Sequence, residues 1–197
     1  MKLVNFIKDK YKIIIFIISL IFLLFIFFQL FNYYKSKKLL ETSISYNDAK
    51  SLKISSLDFE NQMKVISKEK NIYGSLASLN LINEKINNKL YEKAYNDYIN
   101  LLNKNDDLLY KSLIALNASY NLFDYVPTSK IKELLLYIDE SIPSFIGYQQ
   151  ELLFLISIKD KTYKETNILY NKILANDQIS DIIKNRIQKI SNFDKFK

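Results

Sequence analysis

An uninterrupted apolar run near the N-terminus constrains this chain more than any other feature of its sequence. Residues 13–31 read IIIFIISLIFLLFIFFQLF, and only Ser19 and Gln29 among these 19 residues are polar. A helix of this length is roughly 28 Å long, close to the hydrocarbon thickness of about 30 Å. Burying its side chains in lipid contributes on the order of −5 to −10 kcal/mol. We therefore predict one transmembrane helix over residues 13–31, in contact with the lipid bilayer.

Two other interpretations of the run are a cleaved signal peptide and a buried helix of a soluble protein. A signal peptide ends in small residues of the A-x-A type, whereas this run leads into QLFNYYKSKK. A soluble helix would have a polar face, and the run has none at any helical phase. We therefore expect an uncleaved anchor, with Tyr11 near one end and Tyr33 and Tyr34 near the other, where aromatic rings favour the interface.

The positive charge of the chain is concentrated around this run. The formal net charge is +7, yet residues 41–197 hold 21 basic and 20 acidic residues. Residues 1–40 hold seven lysines and one acid. A nucleic-acid reader would be expected to carry a cationic face on its folded part, and this chain has a single arginine, Arg186. The pattern therefore indicates lipid contacts and no nucleic-acid partner.

The orientation of the anchor is not settled by lysine counts, because four lysines flank each end within about 20 residues. The N-terminal set is Lys2, Lys8, Lys10 and Lys12, and the C-terminal set is Lys35, Lys37, Lys38 and Lys50. Only the α-amino group tips the balance towards an N-terminus in the cytoplasm.

The composition argues against catalysis and against bound cofactors. The chain has no His, no Cys and only two Gly, which excludes the usual zinc sites, cysteine nucleophiles, Ser-His-Asp triads and glycine-rich phosphate loops. The adjacent acids at 106–107 and 139–140 are predicted at helix ends, where capping is the ordinary role of a carboxylate. We predict no enzyme, with no catalytic, cofactor-binding or metal-ligating residues.

Residues 41–197 contain almost no Gly or Pro and no sustained alternation of apolar and polar residues, which predicts long helices joined by short turns. Breaks are predicted at Asn71 with Gly74, and at 87–89, 104–107, 126–129, 141–144, 159–161 and 176–178. In the preceding linking segment, 32–70, an apolar stripe predicts a helix that continues from the membrane and packs against the first helix pair of the domain or, less favoured, against a second copy. The stripe consists of Ile44, Leu52, Phe59, Met63 and Ile66.

The chain also resembles itself. Residues 89–102, KLYEKAYNDYINLL, align without gaps on 161–174, KTYKETNILYNKIL, which pairs Lys89 with Lys161 and Tyr98 with Tyr170. A shift by half of this 72-residue offset aligns Leu134, Tyr137 and Ile138 with the last residues of these two helical segments. We therefore expect them to end another helix. Helix pairs with a period near 34–36 residues are typical of tetratricopeptide-type arrays. Ala94, Ala115 and Ala118 are expected at helix crossings.

Residues 71–102 read NIYGSLASLNLINEKINNKLYEKAYNDYINLL, residues 106–122 read DDLLYKSLIALNASYNL, and residues 147–174 read GYQQELLFLISIKDKTYKETNILYNKIL. These three stretches resemble the tetratricopeptide-like domain of the ancillary SecYEG translocon subunits, the YfgM-like proteins. The resemblance covers about residues 70–190 and includes the order of a basic N-terminus, one membrane helix, a linking helix and helix pairs. The family pattern Y-x-x-L-A-x-L-x-L, followed by L-x-E-K-A, is matched in the first pair. In the last pair Glu151 is kept, but Phe154 and Leu155 stand where the family has Gly-Asp. The matched residues are Tyr73, Leu76, Ala77, Leu79, Leu81, Tyr91, Glu92, Lys93 and Ala94.

The fold class predicted is therefore all-α: a basic segment 1–12, a transmembrane helix 13–31, a linking helix 32–70 and an α-solenoid of tetratricopeptide-like helix pairs at 71–197. The resemblance implies the bacterial inner membrane, a cytoplasmic N-terminus, a periplasmic domain and a protein partner at the translocon or among the periplasmic chaperones. Tyr73, Asn80 and Asn83 are the candidate contact residues. The alternative is an assembly factor of a cell-envelope complex that acts through its membrane helix.

Overall fold

The computed structural model describes residues 2–54 and 56–194, and within this part of the chain all regular structure is helical. The chain divides into two compact units, one up to Gly74 and the other from Ser75 onwards. The helices are α1 (Lys2–Ser51), α2 (Leu57–Ile66), α3 (Ile72–Asn87), α4 (Tyr91–Lys104), α5 (Leu108–Leu122), α6 (Thr128–Leu135), α7 (Pro143–Lys159), α8 (Tyr163–Ala175) and α9 (Asp181–Asp194).

The apolar run lies within α1 and is exposed. Every described side chain from residue 13 to 31 is exposed, and Phe16 and Phe31 expose 68% and 66% of their surface. In the described part of the chain, α1 is the one helix whose length and composition allow it to cross a membrane. Its most apolar stretch has no buried residue.

The linking segment contains two helices where the sequence pattern predicts one. The helix that leaves the apolar run ends at Ser51, and α2 begins at Leu57 after Ser56, whose Oγ accepts a hydrogen bond from the Phe59 N–H at 3.2 Å. The break allows α2 to pack back against α1. The predicted stripe is divided accordingly, since Phe59, Met63 and Ile66 are buried but Ile44 is 54% exposed. Serines 51, 55 and 56 were the local signal for this break.

Asn71 and Gly74 mark the start of α3, as the sequence predicts. The Asn71 Oδ1 accepts hydrogen bonds from the N–H groups of Tyr73 and Gly74 at 3.0 and 3.1 Å. A Cβ atom at Gly74 would lie 2.0 Å from the carbonyl oxygen of Glu69. Only glycine therefore allows this close approach of the backbone.

From Ser75 onwards the turns between the helices coincide with the predicted breaks. Lys89, after α3, and Lys161, after α7, both adopt the left-handed conformation, with φ of 59° and 57°. An equivalent hydrogen bond follows each of them: the Leu90 N–H donates to the Lys85 carbonyl, and the Thr162 N–H donates to the Ser157 carbonyl. The alignment of Lys89 with Lys161 thus relates two structurally equivalent helix ends.

Helix α6 departs from the predicted register. Helix α6 ends at Leu135, so Tyr137 and Ile138 lie in the turn that follows and do not end a helix. Backbone bonds to residues three positions earlier tighten this turn, and Pro143 begins the next helix. Leu134 and Ile138 are nevertheless buried, because the turn folds back on the core.

The core of this unit joins side chains from α3 to α7, and a smaller cluster joins α7, α8 and α9. Ala94, Ala115 and Ala118 are fully buried, as expected for small residues at helix crossings. At Gly147 a Cβ atom would lie 2.7 Å from the Ile183 Cδ1, so α7 and α9 approach closely at this glycine.

Candidate binding face of the helical unit

Helix α5 begins at a well-formed cap and is buried on most sides. The Asp107 carboxylate accepts a hydrogen bond from the Tyr110 N–H at 3.1 Å, which satisfies a donor at the helix start. Helices α4, α6 and α7 then pack against α5. Seven of its residues are buried, among them Ala115, Ala118 and Leu122.

One stripe of α5 remains uncovered, and we call it the α5 face: Leu109, Leu113, Asn117 and Tyr120. Leu109 and Leu113 are each 47% exposed and Tyr120 is 39% exposed. The spacings of 4, 4 and 3 residues place the four side chains on one side of the helix. No exposed residue of α5 is charged. The face therefore offers apolar and amide groups.

A hydrogen-bond network fixes the amide of Asn117 at the middle of the face. The buried Tyr98 hydroxyl donates to the Asn117 Oδ1 at 2.7 Å, and the Asn121 Nδ2 donates to the same oxygen at 3.1 Å. Asn121 also donates to the Tyr98 hydroxyl at 3.2 Å. Burial raises the pKa of Tyr98, while the bond from Asn121 opposes this shift. Because its oxygen already accepts two bonds, Asn117 is left with its Nδ2 group to donate to a ligand.

A second cluster lies at the end of the face. The Glu151 carboxylate on α7 is 3% exposed, and its Oε2 accepts hydrogen bonds from the Tyr120 hydroxyl at 2.8 Å and the Arg186 Nη2 at 2.6 Å. Burial raises the pKa of Glu151, and the bonds from Tyr120 and Arg186 oppose this shift. Burial and the bond to Glu151 raise the pKa of Tyr120. One oxygen atom thus joins α5, α7 and α9 and orients Tyr120.

The three contact residues predicted from the sequence lie on α3 in different surroundings. Tyr73 is half-buried, with its ring centroid 5.7 Å from that of Tyr46. Asn80 is half-buried and its Nδ2 donates to the Leu76 carbonyl at 2.8 Å. Asn83 is the only exposed side chain of the three. Their role in binding a partner stays a prediction.

Sequence reasoning missed the α5 face and the Glu151 cluster. The stretch LLYKSLIALNASYNL is apolar around the whole helix, so its pattern does not indicate which side lacks a neighbour. Arg186 did carry a signal, because it is the only arginine in the chain and a buried carboxylate commonly requires such a partner.

Among the described residues, no group of His, Cys, Asp or Glu side chains has the arrangement of a metal site. The N-terminal unit contains an open groove of about 420 Å³ between α1 and α2, lined by Ser45, Asp48, Asn61, Gln62, Val65 and Ile66. The groove contains no arrangement of an acid, base and nucleophile that would support catalysis.

Comparison with known proteins gave no match to a family model, a curated protein or a solved structure. The resemblance to the YfgM-like proteins therefore stays a prediction from the residues quoted above.

Proposed function

We propose that this chain is a membrane-anchored helical scaffold that binds a protein partner along the α5 face and catalyses no reaction. The observation that carries the proposal is the contrast between α5 and α4. Exposed residues of α4 are all polar, namely Glu92, Lys93, Asn96, Asn100, Asn103 and Lys104. The α5 face instead exposes two leucines and a tyrosine around an oriented amide. Apolar anchors beside fixed polar groups are typical of binding surfaces.

The spacing of the helices supports a tetratricopeptide-like arrangement. Helices α3, α5 and α7 begin at 72, 108 and 143, which are 36 and 35 residues apart. Helices α4, α6 and α8 begin at 91, 128 and 163, which are 37 and 35 residues apart. In such arrays the first helices of successive pairs line one surface, and α5 packs against α7 as this requires.

The location and the partner are proposed on the resemblance. The exposed apolar run of α1 supports a single membrane anchor. The resemblance supports the bacterial inner membrane, a periplasmic domain and a partner at the translocon or among periplasmic chaperones. External protease on spheroplasts tests the orientation: a C-terminal tag should be degraded while an N-terminal tag is protected. Protection of the C-terminal tag contradicts it.

Photo-crosslinking in intact membranes tests the binding face. A photoreactive amino acid replaces Leu113 on the α5 face or, as the matched control, the exposed Asn96 on α4. We expect a discrete crosslinked protein from position 113 and none from position 96. In a second experiment the photoreactive amino acid is placed at position 109. Leu113→Glu should then abolish crosslinking to the partner, whereas Asn96→Glu should leave it unchanged. Equal products from both helices, or no product from position 113, would contradict the proposal.

The alternative function is an assembly factor whose contact is the membrane helix itself. Exchange of residues 13–31 for an unrelated apolar span of the same length separates the two functions. Loss of the co-purified partner with the exchanged span supports the alternative. Retention of the partner, together with its loss when 73–176 are deleted, supports binding by the helical unit.

A further inference from the structure

The lysines that follow the apolar run are placed along a continuous helix. Helix α1 continues without a break from the run to Ser51, so distance from the membrane increases by about 1.5 Å for each residue. Lys38 therefore lies about 10 Å beyond Phe31, and Lys50 lies about 28 Å beyond it. Lys50 is close enough in sequence to be counted among the lysines that flank the apolar run. The continuous helix nevertheless places it far from the membrane surface.

The packing of α2 returns the chain towards the membrane end of α1. The Lys38 ammonium and the Glu69 carboxylate form an ion pair at 2.7 Å. The Asn71 Nδ2 donates to the Thr42 Oγ1 at 3.2 Å, and the Tyr73 and Tyr46 rings lie 5.7 Å apart. As the chain proceeds beyond residue 69, its contacts with α1 therefore lie progressively farther from the apolar run. Among the segments of the N-terminal unit that follow α1 in sequence, the turn at 67–70 therefore lies nearest the apolar run.

This turn carries two further lysines. Lys68 and Lys70 are exposed, as are Lys35 and Lys37 on α1. We call these four residues the lysine collar. Two acids lie at the same level, but Glu69 is paired with Lys38, and Glu41 makes only an exposed contact with Lys37 at 4.0 Å. The collar therefore has an excess of positive charge.

We propose that the lysine collar binds the phosphate groups of anionic lipids in the adjacent leaflet. The proposal rests on the membrane anchor proposed above. The polar layer of a bilayer extends about 5–8 Å beyond each side of the hydrocarbon. The turn at about 10 Å is therefore within the reach of a lysine side chain and about one Debye length of the headgroups. Each lysine near such a surface strengthens association about fivefold.

The position of the turn is tested with spin labels on the full chain in nanodiscs that contain a nickel-chelating lipid. Because the sequence has no cysteine, Ser67→Cys and Ser51→Cys each provide a single labelling site. The two serines are matched, since each hydroxyl donates to the carbonyl three residues earlier. We expect strong relaxation by nickel at position 67 and little at position 51. Equal relaxation at the two positions would overturn the inference.

Lipid preference is tested with spin-labelled phosphatidylglycerol and phosphatidylcholine in the same nanodiscs. Lys68→Gln with Lys70→Gln should lower the relative association of phosphatidylglycerol by roughly tenfold to thirtyfold. The control is Lys50→Gln with Lys53→Gln, which removes the same charge at the C-terminal end of α1 and just after it, and it should change the ratio less than twofold. An equal effect of both double variants, or no effect of the first, would overturn the inference.

A label at Phe25→Cys separates failure of this inference from failure of the anchor. If the label at position 25 is shielded from aqueous quenchers but the label at position 67 shows no nickel relaxation, the membrane anchor is supported and lipid binding by the lysine collar is refuted. A label that is open to water at position 25 would refute the anchor, and with it the collar.

Discussion

The apolar run of α1 and helix α7 are both apolar around most of their circumference, yet their surroundings are opposite. Every described side chain of the run is exposed. Helix α7 instead buries eight residues, including Phe145, Leu152, Phe154 and Ile156. A helix that is apolar on all sides belongs either in lipid or in a protein core. The two cases therefore have to be separated by features other than hydrophobicity.

Those features are polar groups and close contacts. Helix α7 contains Glu151 and Ser157, and each is buried with partners: Glu151 with Tyr120 and Arg186, and the Ser157 hydroxyl with the Phe154 carbonyl at 2.7 Å. A Cβ atom at its Gly147 would lie only 2.7 Å from the Ile183 Cδ1 on α9. The run has only Ser19 and Gln29 as polar residues. Buried polar groups that have hydrogen-bond partners thus indicate a core helix.

The largest expected effect comes from placing charge in the run. Leu20→Lys, Leu24→Lys and Phe27→Lys together cost about 9 kcal/mol, which offsets the whole insertion energy of about 5–10 kcal/mol. We expect the full chain to leave the membrane fraction on carbonate extraction. The matched triple alanine variant introduces no charge and should stay in the membrane. Retention of the lysine variant in the membrane would contradict the role of the run as an anchor.

A smaller effect is expected from a cavity in the core beside α7. Phe154 is fully buried, with its ring centroid 6.4 Å from that of Tyr170. Phe154→Ala should lower the free energy of unfolding by about 3–5 kcal/mol. Urea unfolding of the full chain in detergent, followed by circular dichroism, measures this change. The control Leu136→Ala removes a side chain that is 83% exposed and should cost less than about 0.5 kcal/mol.

The third prediction concerns pH and Glu151. Because burial raises its pKa in the folded protein above the ordinary value of 4.5, the folded state holds the proton more tightly than the unfolded state. The stabilising contribution of Glu151 is therefore complete below pH 4.5 and is lost as the pH rises through the higher folded value.

Glu151→Gln removes this titration. Relative to the original chain, the free energy of unfolding of the variant should increase from acidic to neutral pH, because only the original chain has a Glu151 carboxyl group that must ionise while buried. Urea titrations of both chains at the two pH values measure this difference. Glu140→Gln, at an exposed glutamate, is the control and should show no such shift. A shift of the opposite sign would mean that the Arg186 charge outweighs burial.

The smallest effect is expected at Lys161, in the turn that follows α7. Lys161 has a φ of 57°, a conformation that glycine adopts without a steric cost. Lys161→Gly should stabilise the chain by about 0.5–1 kcal/mol, and Lys89→Gly by a similar amount. In contrast, Lys164→Gly within α8 should destabilise it by about 1 kcal/mol. Thermal unfolding of the three variants measures the expected gain of stability at Lys89 and Lys161 and the expected loss at Lys164. A loss of stability at both Lys89 and Lys161 would contradict the prediction.

Local signals in the sequence predicted much of this fold. Turns before and after α7 follow from Pro143 and from the polar residues at 159–161, and the equivalence of Lys89 and Lys161 follows from self-alignment. The break after Ser51 was missed because the apolar stripe continues across it. The end of α6 at Leu135 was missed because Tyr137 and Ile138 keep the helical spacing while lying in a turn.

The candidate binding surfaces depended on packing. Leu113 and Leu116 look alike in sequence, yet the first is 47% exposed and the second 8% exposed, because neighbouring helices cover most of α5 but leave the α5 face open. Asn83, predicted from the sequence as a contact, is exposed, whereas Asn80 is half-buried.

By itself the sequence determined an all-helical chain with one apolar run long enough to span a membrane, because hydrophobic length and the scarcity of glycine and proline are local properties. Only the tertiary structure decided which apolar side chains stay exposed and which distant residues meet. It brought Glu151 to Arg186 and Glu69 to Lys38, since such contacts depend on how helices pack and not on the separation of the residues along the chain.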